Sequence, residues 1–293
     1  MPSTWTSSKQ TYSYQGSIKS DRSDELINIY FLRPIAGVVV RIVFNTSITP
    51  NHLTLLSIAV GLAAACCYLV GTSGVIAVAG LLVTLKDVLD AADGQLARSR
   101  NQQSRIGRFL DSIGDFVVNG AIFGAIGFTL LRQTNSPIVL VYSMAGLLGI
   151  TLRVSYHVFY QVRYLHSQRL YMNNRLDESI RNQDLRQGDL ELQLQRAYQF
   201  IYGWQDRLID RLDGWCRRNQ TTGNFIDSWY SDPLGLRLSG FIGLGSELFL
   251  LMICSLFNRL ELYLALNILA MNGILLSNVL YRRFNLYRRM FNR

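Results

Sequence analysis

Lysine, cysteine and histidine are scarce in this chain of 293 residues. Only three of its 29 basic residues are lysines, so almost all of the positive charge is carried by arginine. The four cysteines have no metal-ligand spacing and the three histidines form no cluster, which argues against a cysteine–histidine metal site or a small disulfide scaffold. We expect the cysteines to be small buried hydrophobic residues.

Charged residues are also few. They make up 17% of the chain, against about 25% in a typical soluble domain, while hydrophobic residues make up 49%. This balance excludes a disordered chain and a collagen-like repeat. The formal net charge is +9.

The apolar residues lie in six nearly uninterrupted segments separated by short polar breaks. With their polar ends included, each segment approaches the roughly 20 residues that a helix needs to span a bilayer. The sequence therefore predicts an all-α integral membrane protein with six transmembrane helices. The segments are 52–70, 74–89, 116–131, 137–152, 238–257 and 260–281.

Arginine is distributed unevenly about these segments. Four arginines lie between the second and third segments and five follow the sixth, whereas the opposite loops hold only Arg132 and Arg259. The positive-inside rule then predicts a multi-pass protein with both termini and the 90–115 region facing the cytoplasm. Because the charge flanks membrane spans and forms no single basic face, we expect membrane lipids as partners and no nucleic acid.

Four regions follow from these patterns. Residues 1–48 are a polar N-terminus, within which 24–44 suits an amphipathic helix at the membrane interface. Residues 49–160 hold the first four spans, and 237–293 hold the last two with a basic tail. Residues 161–236 are polar, contain ten arginines and ten acidic residues, and are predicted to form a cytoplasmic helical insert, a hairpin packed under the membrane domain.

Five aspartates lie close together at the membrane ends of the second and third segments. A carboxylate costs about 2.5–3.5 kcal/mol at the centre of a bilayer, and a group of carboxylates also repels itself, so positive charge must offset the repulsion. Asp87 is assigned most readily to a pair with its neighbour Lys86. The other four are Asp90, Asp93, Asp111 and Asp115.

Helical spacing predicts where these four side chains point. Asp90 and Asp93 share one face of the second segment, and Asp111 and Asp115 share a stripe on the third with Gly107. Because the intervening loop is short, we expect two antiparallel neighbouring helices whose acidic faces converge. Oxygen ligands of this kind suit Mg²⁺ or Mn²⁺, and two ions about 3.5–4 Å apart would suit chemistry at phosphorus. The alternative is that Asp111 and Asp115 pair with Arg98, Arg105 or Arg108.

The motif that contains these residues resembles a known signature. Residues 90–115 read D-x2-D-G-x2-A-R-x8-G-x3-D-x3-D without a departure, which resembles the CDP-alcohol phosphotransferases, integral membrane enzymes of phospholipid synthesis. The stretch 49–54 is also similar to the one that opens the first helix of that family. The resemblance implies a polar, cytoplasm-facing cavity among six transmembrane helices, often preceded by an interfacial helix.

The resemblance also implies a role for each matching residue. Asp90, Asp93 and Asp111 would bind two divalent ions, and Asp115 would contact the second ion and act as general base. An acceptor hydroxyl would attack the phosphorus of a CDP-linked lipid or alcohol donor, and CMP would leave. The residues expected to bind the nucleotide are Gly94, Ala97, Arg98, Ser104, Gly107, Asn51 and Thr54.

The acceptor, a small polar alcohol or a lipid, is not specified by the sequence. Arg153 could bind an acceptor phosphate or, equally well, face lipid headgroups. Gly120, Gly124 and Gly127 suit close helix packing, within the monomer or in a homodimer. A second function class is also open, a non-enzymatic divalent-cation transporter or membrane scaffold that uses the same carboxylates.

Overall fold

The computed structural model describes residues 12–17, 23–169, 178–181, 184 and 188–291, and every regular element in them is helical. Two π-helical turns, Leu266–Met271 and Tyr281–Leu286, interrupt the α-helix in and just after the last apolar segment; a third, Asn28–Leu32, precedes α2. The α-helices are α1 (Tyr14–Ser17), α2 (Arg33–Val43), α3 (Pro50–Val70), α4 (Ser73–Ser99), α5 (Arg105–Thr134), α6 (Ile138–Ser167), α7 (Asp189–Cys216), α8 (Gly223–Tyr230), α9 (Pro233–Gly240), α10 (Leu244–Leu256), α11 (Leu260–Ala265), α12 (Asn272–Leu280) and α13 (Tyr287–Phe291).

Five segments of the described chain are long and apolar enough to cross a membrane, so the protein is an integral, multi-pass membrane protein. The predicted second span, α4, is not among them, although it is 27 residues long. The reason is its charge, because Lys86, Asp87 and Asp90 lie within it. The five segments are Pro50–Val70, Arg105–Thr134, Ile138–Ser167, Pro233–Leu256 and Leu260–Met290.

Local sequence signals set the ends of α3. Thr49 caps the helix by accepting a hydrogen bond from His52 N, while the His52 ring accepts one from Thr49 N. Pro50 occupies the first turn, where its missing N–H has no helical partner to lose. The helix ends at Gly71, whose φ of +76° suits glycine.

Helix α3 is the centre of the membrane domain, because it packs against both α4 and α5. Gly61 makes the close approach possible, since a methyl group there would lie 2.5 Å from Val118 Cγ1 of α5. As predicted, the acidic faces of α4 and α5 converge, and a cavity lies between them.

The predicted insert is helical in its described residues, and α7 packs against α5 and α6. The hairpin and its position under the membrane domain stay predictions. The buried Asp213 of the insert accepts hydrogen bonds from Tyr160 of α6, Trp229 and Tyr230, at 2.7–2.9 Å. These contacts explain why α6 continues to Ser167, beyond the predicted boundary at residue 160. At the other boundary, α9 begins at Pro233, which is before the predicted start of the fifth span.

Helix α2 packs one face on α4. Its buried residues Ala36 and Val40, with Leu32 of the preceding π-helical turn, form a cluster with Ala92 and Leu96. Ile35, Val38 and Ile42 are apolar and exposed. The interfacial position of 24–44 stays a prediction.

A buried ion pair joins three spans of the bundle. Arg153 of α6 pairs with Glu247 of α10, and both side chains are fully enclosed. Glu247 also accepts a hydrogen bond from Asn267, and Arg153 donates to Asn272 at 2.6 Å, both residues of the last span. The contacts satisfy two charges that would otherwise be costly to bury.

We expect Arg153→Met to destabilise the protein by about 3–5 kcal/mol, because it leaves Glu247 buried without a cation. Arg153→Met combined with Glu247→Gln should recover most of the loss. Thermal unfolding in detergent measures both. The control is Asp210→Asn, which removes the partially exposed partner of Arg163 and should cost less than about 1 kcal/mol. Equal losses in the single and double variants would contradict the prediction.

Candidate active site

Three of the predicted aspartates meet at one point. Asp90 and Asp93 of α4 and Asp111 of α5 each offer a carboxylate oxygen, and the three oxygens lie within 4.8 Å of one another. The two-residue gap places Asp90 and Asp93 on one face of α4, and α3 holds α4 and α5 at the distance that brings Asp111 opposite them.

Asp115, the fourth aspartate, lies one turn beyond Asp111 and lines the same cavity. It accepts a hydrogen bond from Lys86 of α4. Lys86 is buried, and its Nζ also lies 3.6 Å from Asp87 Oδ1, which confirms the predicted ion pair between these neighbouring residues. Sequence reasoning missed the contact with Asp115, because nothing in the spacing of the motif indicates where a lysine side chain turns.

The oxygen cluster fits a hard divalent cation. All three groups are carboxylates, the ligand type that Mg²⁺ and Mn²⁺ prefer. Asp90 Oδ1 is buried and has no hydrogen-bond partner among the described residues, so it is available as a ligand. Thr54 of α3 donates a hydrogen bond to Asp93 Oδ2 and thereby fixes the orientation of this carboxylate.

All seven residues predicted to bind the nucleotide line one cavity of about 240 Å³ beside the cluster. Ser104 caps α5 by accepting a hydrogen bond from Gly107 N at 3.0 Å. A methyl group at Gly107 would lie 3.0 Å from Asn51 Oδ1, so this glycine keeps the floor of the cavity open. The Arg98 side chain lies over Gly94 and donates to the carbonyl of Ser17. The seven are Asn51, Thr54, Gly94, Ala97, Arg98, Ser104 and Gly107.

A larger cavity, of about 330 Å³, adjoins the first, and the two share Asp93, Gly94, Arg98 and Asp111. The cluster thus stands at the junction of two spaces. Two separate spaces that meet at a group of carboxylates can admit two different ligands and bring them together there.

The insert forms one wall of the larger cavity through Tyr198, Tyr202 and Asp206 of α7. The Tyr202 hydroxyl donates a hydrogen bond of 2.8 Å to the carbonyl of Ser112, between the two aspartates of α5. Burial raises the pKa of Tyr202, and the nearby charge of Asp115 adds to the shift, so the phenol stays protonated. Sequence reasoning missed these residues, since they lie about 90 positions from the motif.

The N-terminal segment supplies another wall through Glu25. Its carboxyl group accepts hydrogen bonds from Ser246 N at 2.7 Å and from Gly245 N at 3.3 Å, at the start of α10. Burial raises the pKa of Glu25 to about 7. The segment before α2 is therefore part of the site, which the sequence did not indicate.

The arginines near the motif make contacts other than those of the alternative ion-pair hypothesis. Arg105 pairs with Glu178, Asp184 and Glu191 at 2.9–3.2 Å, and Arg108 also pairs with Glu178. These contacts join the insert to the start of α5.

The prediction that Arg153 binds an acceptor phosphate is not supported by its position. Its side chain is fully buried in the pair with Glu247, and it is not among the residues that line either cavity.

Comparison with known proteins agrees with this geometry. Residues 47–169 match the family model of the CDP-alcohol phosphatidyltransferases. This segment belongs to that family. It contains α3 to α6, the four aspartates and the seven predicted nucleotide-binding residues that line the smaller cavity. Helix α7 and the last two spans lie outside it.

Curated relatives match over a similar length. The chain is 33% identical over 109 residues to the bifunctional IPC transferase and DIPP synthase of Thermococcus kodakarensis, covering 37% of this chain and 23% of that protein. It is 33% identical over 107 residues to the phosphatidylinositol phosphate synthase of Corynebacterium glutamicum, covering 36% of this chain and 48% of that protein. The matched part therefore spans about a quarter and about half of these relatives.

We expect the purified protein to bind Mn²⁺, and Asp111→Asn to weaken the affinity at least about tenfold, because it removes one of three converging oxygens. Titration followed by the electron paramagnetic resonance signal of free Mn²⁺ measures this. Asp87→Asn is the matched control and should leave the affinity nearly unchanged, since Asp87 is not in the cluster. An equal effect of the two substitutions would argue against the assigned ligands.

Thr54→Val should also weaken Mn²⁺ binding, by about tenfold, because it removes the hydrogen bond that orients Asp93. Thr54→Ser keeps the hydroxyl group and should restore the affinity. If valine and serine gave the same affinity, the hydroxyl group would have no part in positioning the carboxylate.

Proposed function

We propose that the protein transfers a phosphatidyl or phosphoalcohol group from a CDP-linked donor, such as CDP-diacylglycerol, to an acceptor hydroxyl, with release of CMP. The observation that carries the proposal is the meeting of three carboxylates at the junction of two cavities, within the segment that matches the family model. The names of the two curated relatives, a transferase and a phospholipid synthase, agree with this class of reaction.

We further propose six spans, with α4 as the second. The end of α4 lies beside the start of α3, since Arg100 donates to the carbonyl of Ile48 at 2.6 Å. Helix α4 therefore runs antiparallel to α3 and crosses back over the same thickness of membrane. With six spans, the arginine-rich ends and the candidate active site face the cytoplasm by the positive-inside rule.

Each cavity then takes one substrate. The smaller cavity holds the cytidine nucleotide, where Gly94 and Gly107 leave room for close approach and Arg98 offers positive charge. The larger cavity holds the acceptor, between the acidic face of α5 and the tyrosines of α7. The donor diphosphate lies at the junction, next to Asp93 and Asp111.

In the proposed reaction the acceptor hydroxyl attacks the phosphorus that bears the lipid or alcohol group. A new P–O bond forms, the bond to the CMP oxygen breaks, and CMP leaves with the electron pair. Asp115 takes the proton of the hydroxyl, and Lys86 holds the Asp115 carboxylate in place.

Asp90, Asp93 and Asp111 would hold two Mg²⁺ or Mn²⁺ ions, with Asp115 next to the second. When bound, such ions neutralise charge on the diphosphate and on the leaving phosphate. The three carboxylates themselves supply the negative charge that draws the cations to the junction.

A homodimer is a further proposal. Gly127 packs within the monomer, against Ser143 of α6, whereas a methyl group added at Gly120 or Gly124 would have no neighbour within 4 Å in the described structure apart from its own stretch of helix backbone. These two glycines leave part of α5 open to a second copy of the chain.

We expect Asp115→Asn to lower CMP release by about 100-fold or more, since it removes the proton acceptor while keeping the shape of the side chain. The assay uses protein in liposomes with Mg²⁺, CDP-diacylglycerol and a panel of polar alcohols, with mass spectrometry of the lipid product. Asp87→Asn is the control and should retain activity.

Undiminished activity of Asp115→Asn would exclude Asp115 as the base without excluding the reaction. Metal flux across the liposome membrane without any release of CMP would instead favour the second candidate, a divalent-cation transporter.

A further inference from the structure

Helix α7 presents three distinct sectors around its axis. One sector docks on the bundle and includes Tyr202 and Asp213. At about 100° per residue, a second sector on one flank is apolar and a third on the other flank is basic. The apolar flank is formed by Leu190, Leu194, Ile201, Trp204, Leu208, Leu212 and Trp215, and the basic flank by Arg196, Arg207 and Arg211, with the exposed Phe200 among them.

The apolar flank is exposed to an unusual degree for a segment of so many large side chains. Trp204 is 41% exposed, Leu208 47% and Trp215 49%. Exposed aromatic and aliphatic side chains in one row indicate a surface that meets something other than water.

The contacts of α7 with α6 show which way each flank faces. Asp210, on the basic side, pairs with Arg163 at 2.8 Å, near the end of α6 at Ser167. Gln205 lies about 140° from Asp210 around the axis of α7, on the apolar side, and accepts a hydrogen bond from Ser155 of α6. Ser155 precedes Arg163 by eight residues, which is about 12 Å along α6 and away from its end at Ser167. The apolar flank therefore points toward the membrane core and the basic flank away from it.

We propose that α7 lies in the membrane interface, with its apolar flank in the acyl-chain boundary and its arginines against anionic lipid headgroups. Charge complementarity favours anionic lipid, because no carboxylate partner of Arg196, Arg207 or Arg211 lies in the part of the chain that the structure describes. A tryptophan and arginine composition is typical of such interfacial helices.

This position has a consequence for the site. The same helix carries Tyr198, Tyr202 and Asp206 on its docking side. Contact of the apolar flank with lipid thus helps to hold the docking sector of α7, and with it one wall of the larger cavity, in place.

The test compares two adjacent positions in the full-length protein. Leu208→Cys and Arg207→Cys place a nitroxide label on the apolar and the basic flank, about 100° apart. The background carries Cys66→Ala, Cys67→Ala and Cys254→Ala, while the enclosed Cys216 is kept. The protein is reconstituted in vesicles of phosphatidylcholine, alone or mixed with phosphatidylglycerol.

We expect the label at position 208 to collide mainly with oxygen dissolved in the bilayer, and the label at position 207 mainly with an aqueous nickel chelate. Phosphatidylglycerol should increase the access of oxygen to the label at position 208, and the triple substitution Arg196→Gln, Arg207→Gln and Arg211→Gln, with the label at position 208, should abolish this increase.

Two outcomes would overturn the proposal. Equal access of the nickel chelate to both labels would mean that water surrounds α7. Protection of the position 208 label from both reagents would mean that protein covers the flank, for example a second copy of the chain.

Discussion

Several carboxylates held close together at the edge of a membrane are the constraint on which the rest of this structure depends. Asp90, Asp93 and Asp111 repel one another, and their enclosure by helices weakens the screening that water would give. Lys86, a buried cation nearby, is bound to Asp115 and close to Asp87. A divalent cation at the three remaining carboxylates would balance the charge.

The fold resists this repulsion by rigid packing around α3. Because α3 contacts both acidic helices, its packing sets the distance between α4 and α5, and the pair of Lys86 with Asp115 adds a direct attraction between them. Gly61 permits this packing, and Thr54 on the same helix orients Asp93. A separate pair, Arg153 with Glu247, ties the later spans to α6 away from the cavities. The polar interior is thus divided into a structural part and a part that is open to ligands.

The insert changes the character of the site. Residues 47–169, the part that belongs to the family, supply the aspartates and the smaller cavity. The wall of the larger cavity comes partly from α7, which is joined to the bundle by ion pairs at Arg105 and by the hydrogen bonds of Asp213. In the proposed function, the residues that meet the acceptor therefore come partly from outside the family segment, so relatives that differ there can differ in acceptor while they share the same motif.

The sequence by itself determined the helical, membrane-spanning class, the pairing of Asp87 with Lys86 and the grouping of the aspartates. These features depend on composition and on the period of a helix, which neighbouring residues reveal. It did not reveal the burial of Arg153 against Glu247, the contact of Lys86 with Asp115 or the walls formed by Tyr202 and Glu25. Only the tertiary structure decided these, because they depend on how segments distant in the chain pack together, and no local spacing records that.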